Sequence, residues 1–87
     1  MQSVRIPKHV VFRSFGSETV LLNLHTGQYH GLRGAGGRML EVLAETQDFG
    51  AATRQVAAEY GHPVVEVERD MRELCAALAE RSLIELE

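Results

Sequence analysis

Four histidines, one cysteine, a run of glycines and a set of helical carboxylates are the residues of this chain with most scope for chemistry. No cysteine pair accompanies His9, His25, His30 and His62, so structural or surface roles are expected. His25 and His30 flank a tight turn and are placed to approach across a strand ladder, but two imidazoles without further ligands make a poor zinc site. Cys75 has no partner for an internal disulfide. It lies in a helical pattern between Leu74 and Ala76 with no local electropositive group to favour a thiolate, so a buried, inert thiol is expected. Gly31, Gly34, Gly36 and Gly37 sit between a strand and a helix, superficially a phosphate cradle. The match is weak: no lysine followed by serine or threonine comes after them, and the dinucleotide spacing and a parallel-sheet context are missing. Ser3, Ser14, Ser17 and Ser82 have no base and carboxylate in pattern, and Glu66, Asp70, Glu73 and Glu80 read as a solvated helix face. No residue set for catalysis and no cofactor site emerges, so a non-enzymatic role is expected.

The elements that hold these residues follow from period and turn chemistry. At 87 residues and 45% hydrophobic content, one domain over residues 1–87 is expected, with one core and no material for a spacious cleft. The longest apolar run, Leu74 to Ala79, is too short to cross a bilayer, and Met1 to Arg13 lacks the apolar stretch of a signal peptide, so a cytoplasmic location is expected. Val10 to Phe12, Val20 to His25 and Gln28 to Arg33 read as strands separated by Gly16-Ser17 and Thr26-Gly27 turns, with Val20, Leu22 and Leu24 on one face. The simplest topology is an antiparallel meander with its second strand central. After Gly34 the period changes to about 3.6. One helix carries Gly36, Met39, Leu40 and Leu43 and ends near Thr46; a second starts after Asp48 and stops at Gly61; a third follows His62-Pro63 with a stripe of Val64, Val67, Met71, Leu74 and Leu78, widened by Cys75. The fold class is α+β and winged-helix-like: a three-stranded antiparallel meander followed by three helices that cover its apolar face. The expected core is Leu22, Leu24, Met39, Leu40, Leu43, Val56, Leu74 and Leu78.

Charge weighs against the DNA-binding role that this helix order also suggests. Residues 1–33 hold four basic side chains against Glu18, whereas residues 34–87 hold 5 basic against 11 acidic. The third helix, the one that would enter a major groove, is itself net negative, and phosphate contacts need a basic footprint. A winged-helix DNA-binding regulator is therefore the second reading. The third strand offers another kind of partner. Gln28 to Arg33 contains no proline and no acidic residue, so its outer edge is hardly blunted against pairing with another chain. That edge is either covered, by the arm Val4 to Pro7 or by a second copy, or used.

The run Leu21-Leu-Asn-Leu-His-Thr-Gly-Gln-Tyr-His-Gly-Leu-Arg-Gly-Ala-Gly-Gly-Arg-Met-Leu40 resembles the signature of PqqD-like domains, the recognition elements of ribosomally synthesised, post-translationally modified peptides. The long third helix closing in Leu83-Ile84 is similar too. Arg33 stands where that family often has asparagine, and Ser82 where it often has glycine. A chain of this length looks most like the discrete recognition protein of lasso-peptide biosynthesis, which works beside a cysteine-protease-type leader peptidase and a macrolactam cyclase. The resemblance implies that a precursor's leader peptide adds antiparallel to the third strand and lies against the third helix. The implied peptide-binding residues are Gln28, Tyr29, His30, Gly31, Leu32, Arg33, Val67, Asp70, Met71, Leu74, Cys75 and Leu78, with Tyr29, Leu32, Met71, Leu74, Cys75 and Leu78 lining side-chain pockets. Glu66, Asp70 and Glu73 are expected to favour leaders with basic residues. No metal, no cofactor, no nucleic acid and no membrane enters this reading.

Overall fold

Residues 3–87 are described by a computed structural model; the domain expected over 1–87 begins with two residues that lie outside the described part. Five strands and three helices follow in the order β1 (Val4–Arg5), β2 (Val10–Phe15), β3 (Glu18–Asn23), β4 (Tyr29–Arg33), α1 (Ala35–Thr46), α2 (Phe49–Tyr60), α3 (Val64–Glu80) and β5 (Glu85–Leu86). β2, β3 and β4 form the antiparallel meander, in the spatial order β2-β3-β4, so the third strand of the sequence pattern is β4. The fold is the α+β arrangement expected, a three-stranded antiparallel sheet followed by three helices. β1 and β5 tie the chain ends together, with Val4 opposite Leu86 and Arg5 opposite Glu85. The arm therefore does not cover β4. Its Val4 N–H donates to the Gln47 carbonyl at 3.2 Å, at the end of α1, and its strand pairs with β5.

Local chemistry accounts for the boundaries. Gly16 and Gly27 take φ of 61° and 75° in the two hairpin turns, where a side chain would be strained. Asp48 caps α2, its carboxylate accepting the Ala51 N–H at 2.8 Å, and Gly61 ends the helix at φ 64°. α3 ends in a Schellman turn: the Leu83 N–H donates to the Leu78 carbonyl at 2.9 Å and Ser82 adopts φ 60°. A serine thus holds the left-handed position that glycine takes most cheaply.

The sheet turns the opposite face inward from the one expected. Leu21 is fully buried and Thr19 and Asn23 are buried beside it, whereas Leu22 is half-buried and Leu24 is 56% exposed. Val20, Leu21 and Leu22 are apolar at both parities, so alternation could not choose the face, and a one-residue shift inverts it. The two buried polar residues are satisfied locally. Asn23 Oδ1 accepts the backbone N–H groups of His25 and Thr26 at 2.8 and 3.2 Å, and the Thr19 hydroxyl meets Ser14 Oγ at 2.9 Å.

Met39, Leu40, Leu43, Val56 and Leu78 are buried as expected, joined by Leu21, Val42, Phe49, Met71, Cys75, Leu83 and Ile84; Leu74 is only partly buried. Gly37 lets α1 lie directly on the sheet, since a Cβ there would collide with the Thr19 hydroxyl. Arg38 and Glu59 clamp α1 to α2 by two parallel hydrogen bonds of 2.8 Å each, a fork geometry that strengthens both. Those bonds hold the Glu59 carboxyl down at about 2, with help from Gln55. The clamp's contribution is complete above the ordinary glutamate value of 4.5 and fades as pH falls towards about 2. Glu59→Gln is therefore expected to lower the thermal midpoint at pH 6, with the gap to wild type closing between pH 4.5 and 2 in melts followed by circular dichroism.

Candidate functional site

Among the described residues β4 pairs with β3 on one side only, and alternation along the strand fixes which of its backbone groups that pairing leaves free. The Gln28 carbonyl accepts the Asn23 N–H at 3.0 Å, and the Gly34 N–H donates to the Ser17 carbonyl at 3.0 Å. Residues of even number therefore direct their backbone groups to β3, and Tyr29, Gly31 and Arg33 direct theirs outward from the sheet. Beside this edge α3 packs mainly on α2, α1 and β5, which leaves a groove between it and β4. The groove opens at both ends. Where β4 runs into α1, a cavity of about 590 Å³ is lined by Gly34, Ala35, Met39, Val56, Tyr60, His62, Glu66, Val67, Arg69 and Asp70. At the start of β4 a small pocket joins Asn23, Gln28, Tyr29 and His30 to Arg81 and Leu83. β4 consequently runs antiparallel to α3, with Leu32 and Leu74, both partly buried, packed on the core between the two ends.

The groove has unequal electrostatic ends. Glu66 and Asp70 stand at the large cavity, where Arg69 lies 3.9 Å from Asp70 and leaves Glu66 unpaired among the described residues. Arg81 stands at the small one, facing His30. Burial first, and the Arg81 charge second, push the His30 imidazole below its usual value, which favours the neutral ring. A strand laid along β4 therefore finds unpaired main-chain groups on one side, an apolar floor beneath it, and charges of opposite sign at its two ends.

Comparisons with known proteins bear on the family and the fold. The profile of the family described as coenzyme PQQ synthesis protein D (PqqD) matches residues 18–84, the span from β3 to the residues just after α3. The chain belongs to the PqqD family. Among solved structures, TbiB1 in complex with the TbiA(beta) leader peptide is 36% identical, with a TM-score of 0.86 over 95% of this chain and 96% of that one. Lasso peptide synthetase B1, complexed with the leader peptide, superposes with a TM-score of 0.83 over 97% of this chain and 99% of that one; at 19% identity it shares the fold. No curated protein sequence matches the chain.

In this PqqD-family chain the expected site residues divide into four groups. His30 and Leu32 on β4, and Asp70 and Leu74 on α3, border the groove, with Val67 at the wall of the large cavity. Gly31 and Arg33 offer main-chain groups, and Gln28 belongs to the turn, where its carbonyl is already engaged. Met71, Cys75 and Leu78 are completely buried in the core, so the expected pocket wall of these side chains is instead the layer beneath the groove. Tyr29 also departs from expectation. It is 72% exposed and pairs with Leu22 on the outer face of the sheet, where Val11, Phe15 and Val20 surround it in an apolar hollow.

His25 does not meet His30 across the hairpin. Its ring stacks on His9, centroids 4.2 Å apart, and His9 Nε2 lies 3.2 Å from the Ser82 carbonyl oxygen. The sequence reading missed Tyr60, His62, Arg69, Arg81 and Leu83 as groove residues; Arg81 was visible in principle, since 70, 74, 77 and 81 recur at helical spacing on one side of α3. Burial raises the Cys75 thiol to about 11, against a smaller opposing effect of Arg72. At pH 8 the thiolate is scarce and unreachable, so Ellman's reagent is expected to react at least a hundredfold more slowly with the native chain than with the chain in 6 M guanidinium, about the protection that burial of a raised-pKa thiol confers.

Proposed function

We propose that this chain is a non-catalytic recognition protein that captures the leader segment of a ribosomally synthesised precursor peptide, of the lasso class, and holds it for a leader peptidase and a macrolactam cyclase. The leader adds antiparallel to β4 as a fourth strand, using the outward main-chain groups of Tyr29, Gly31 and Arg33, and its alternate side chains enter the groove against α3. The observation that carries this reading is the open β4 edge beside a groove with a cavity of about 590 Å³ at one end. The likeness to TbiB1, solved with a leader peptide bound, supports it.

Energetics assign separate tasks to edge and groove. Each added ladder hydrogen bond contributes about 0.5 to 1.5 kcal/mol net, whereas association costs about 4 to 15 kcal/mol. Three outward residues offer six main-chain groups, about 3 to 9 kcal/mol in all, which reaches only the lower part of that range and leaves little for affinity or selectivity. Two or three apolar leader side chains, worth about 1.5 to 3 kcal/mol each when buried, supply the remainder and the selectivity. Leu32 and Leu74 form the apolar middle that receives them, and Met71, Cys75 and Leu78 hold that middle in place from below. Because the leader adds at the edge, the apolar outer face around Val11, Phe15, Leu22 and Tyr29 stays open, and the pleat turns every second leader side chain towards it. An enzyme seated on that face touches carrier and cargo together, which suits delivery.

Gly31→Pro tests the strand addition without disturbing the ladder to β3, because the N–H it removes points outward and no atom lies within 4 Å of an added Cβ. With fluorescein-labelled TbiA(beta) leader peptide as probe, fluorescence anisotropy is expected to show binding by wild type, with at least a tenfold loss for Gly31→Pro. Leu74→Glu is expected to lose about ten- to a hundredfold, the value of one half-buried leucine contact. Both variants keep their fold by circular dichroism. Wild-type affinity in both variants would place the peptide elsewhere, and salt-sensitive binding of duplex DNA without peptide binding would restore the winged-helix reading.

A further inference from the structure

Along α3 and on to its C-cap residue Arg81, the residues Glu66, Asp70, Leu74, Ala77 and Arg81 follow one another at spacings of three or four and form a single ridge on the groove side. The ridge is acidic at its N-terminal end, apolar in the middle and basic at its C-terminal end. Its acidic end borders the large cavity and its basic end borders the small pocket with His30. Arg69 lies 3.9 Å from Asp70 and offsets one of the two acids there, while neither Glu66 nor Arg81 forms an ion pair among the described residues. These signs also complement the dipole of α3, which explains their compatibility with the helix but not their position on the groove side.

We infer that the groove reads the charge order of its peptide: a lysine or arginine in the upstream half of the bound strand, set against Glu66 and Asp70, and an aspartate or glutamate downstream, set against Arg81. The inference rests on the leader-capture reading, which supplies the strand's direction. A strand antiparallel to β4 runs parallel to α3, so its N-terminal half lies at the acidic end and its C-terminal half at the basic one.

Geometry also sets the spacing. From Asp70 to Arg81 the helix rises about 16 Å, and from Glu66 about 22 Å, at about 1.5 Å per residue. An extended strand covers these lengths in about five to seven residues at about 3.3 Å each. Both side chains must face α3, and a strand shows the same face at every second residue, so the spacing is even: about six. The groove thus accepts a peptide with a basic residue about six positions before an acidic one, apolar residues lying between them on the same face. A peptide of reversed order meets like charge at both ends. Exposed pairs are individually weak, but the difference between two attractions and two repulsions is roughly tenfold in affinity at low salt and shrinks as salt screens it.

The test is a selection of random 16-residue peptides by messenger-RNA display against three immobilised full-length proteins: wild type, the charge-exchanged triple variant E66K/D70K/R81E, and Gly31→Pro. The exchanged side chains are exposed, and R81E alone serves as a second variant should the triple variant melt early. Peptides enriched on wild type are expected to carry Lys or Arg about six positions before Asp or Glu, the triple variant is expected to enrich the reverse order, and R81E is expected to lose the downstream acid alone. Apolar strand-forming peptides enriched without a charge order, or with an order that the exchange leaves unchanged, would overturn the charge reading while leaving leader capture intact. A wild-type selection that yields no peptides, or peptides that bind Gly31→Pro equally well, would overturn capture at β4 itself.

Discussion

A three-stranded antiparallel sheet has two faces and two edges, and the helices of this chain cover one face. α1 settles on the inner side, close enough that Gly37 tolerates no side chain against Thr19, and the remaining helices pack behind it. The open edge and the outer face lie where that coverage stops. The outer face keeps Val11, Phe15 and Tyr29 in water, and among the described residues β4 keeps one row of main-chain groups unpaired. β1 and β5 do not repair this, because Val4–Arg5 and Glu85–Leu86 pair with each other instead.

The two edges of the sheet are not equivalent. β4 is distinguished from β2 by the hollows at its two ends, one reaching the start of α3 and the other the residues just after it, so a strand added there gains side-chain contacts as well as ladder hydrogen bonds. The helix is kept off β4 by its own packing: Val67, Met71, Cys75 and Leu78 are drawn into the core, and Leu74, one step round the helix, is left half-buried at the groove. The same fully buried side chains that close the core therefore hold the groove open. The Arg38–Glu59 clamp steadies the α1–α2 pair that forms the far wall of the large cavity.

Much of the architecture was legible because it is local. The turns at Gly16 and Gly27, the Asp48 cap, the stop at Gly61 and the change of period after Gly34 each involve residues close in sequence, and the structure places them as the pattern requires. The stripe on α3 was legible as a direction, but not as a depth: periodicity shows that Met71, Leu74, Cys75 and Leu78 point one way, and only the neighbouring helices determine that three of them are sealed and one is not. The pairing of His25 with His9 was beyond reach for the same reason, since His9 approaches from a different strand connection.

By itself, the sequence determined the order and type of the elements, the absence of blunting residues on β4, the acidic balance of α3 and, through the Leu21 to Leu40 run, the family. These are properties of composition, short-range geometry and period, which need no knowledge of what lies opposite. The tertiary structure decided which face of β3 is inside, because Val20, Leu21 and Leu22 are apolar at both parities and only packing against α1 distinguishes them. It decided that Tyr29 faces away from the groove and that Arg81 faces into it. It also decided that the edge of β4 is left open, a question of where the arm goes, and the arm's partner lies at the other end of the chain.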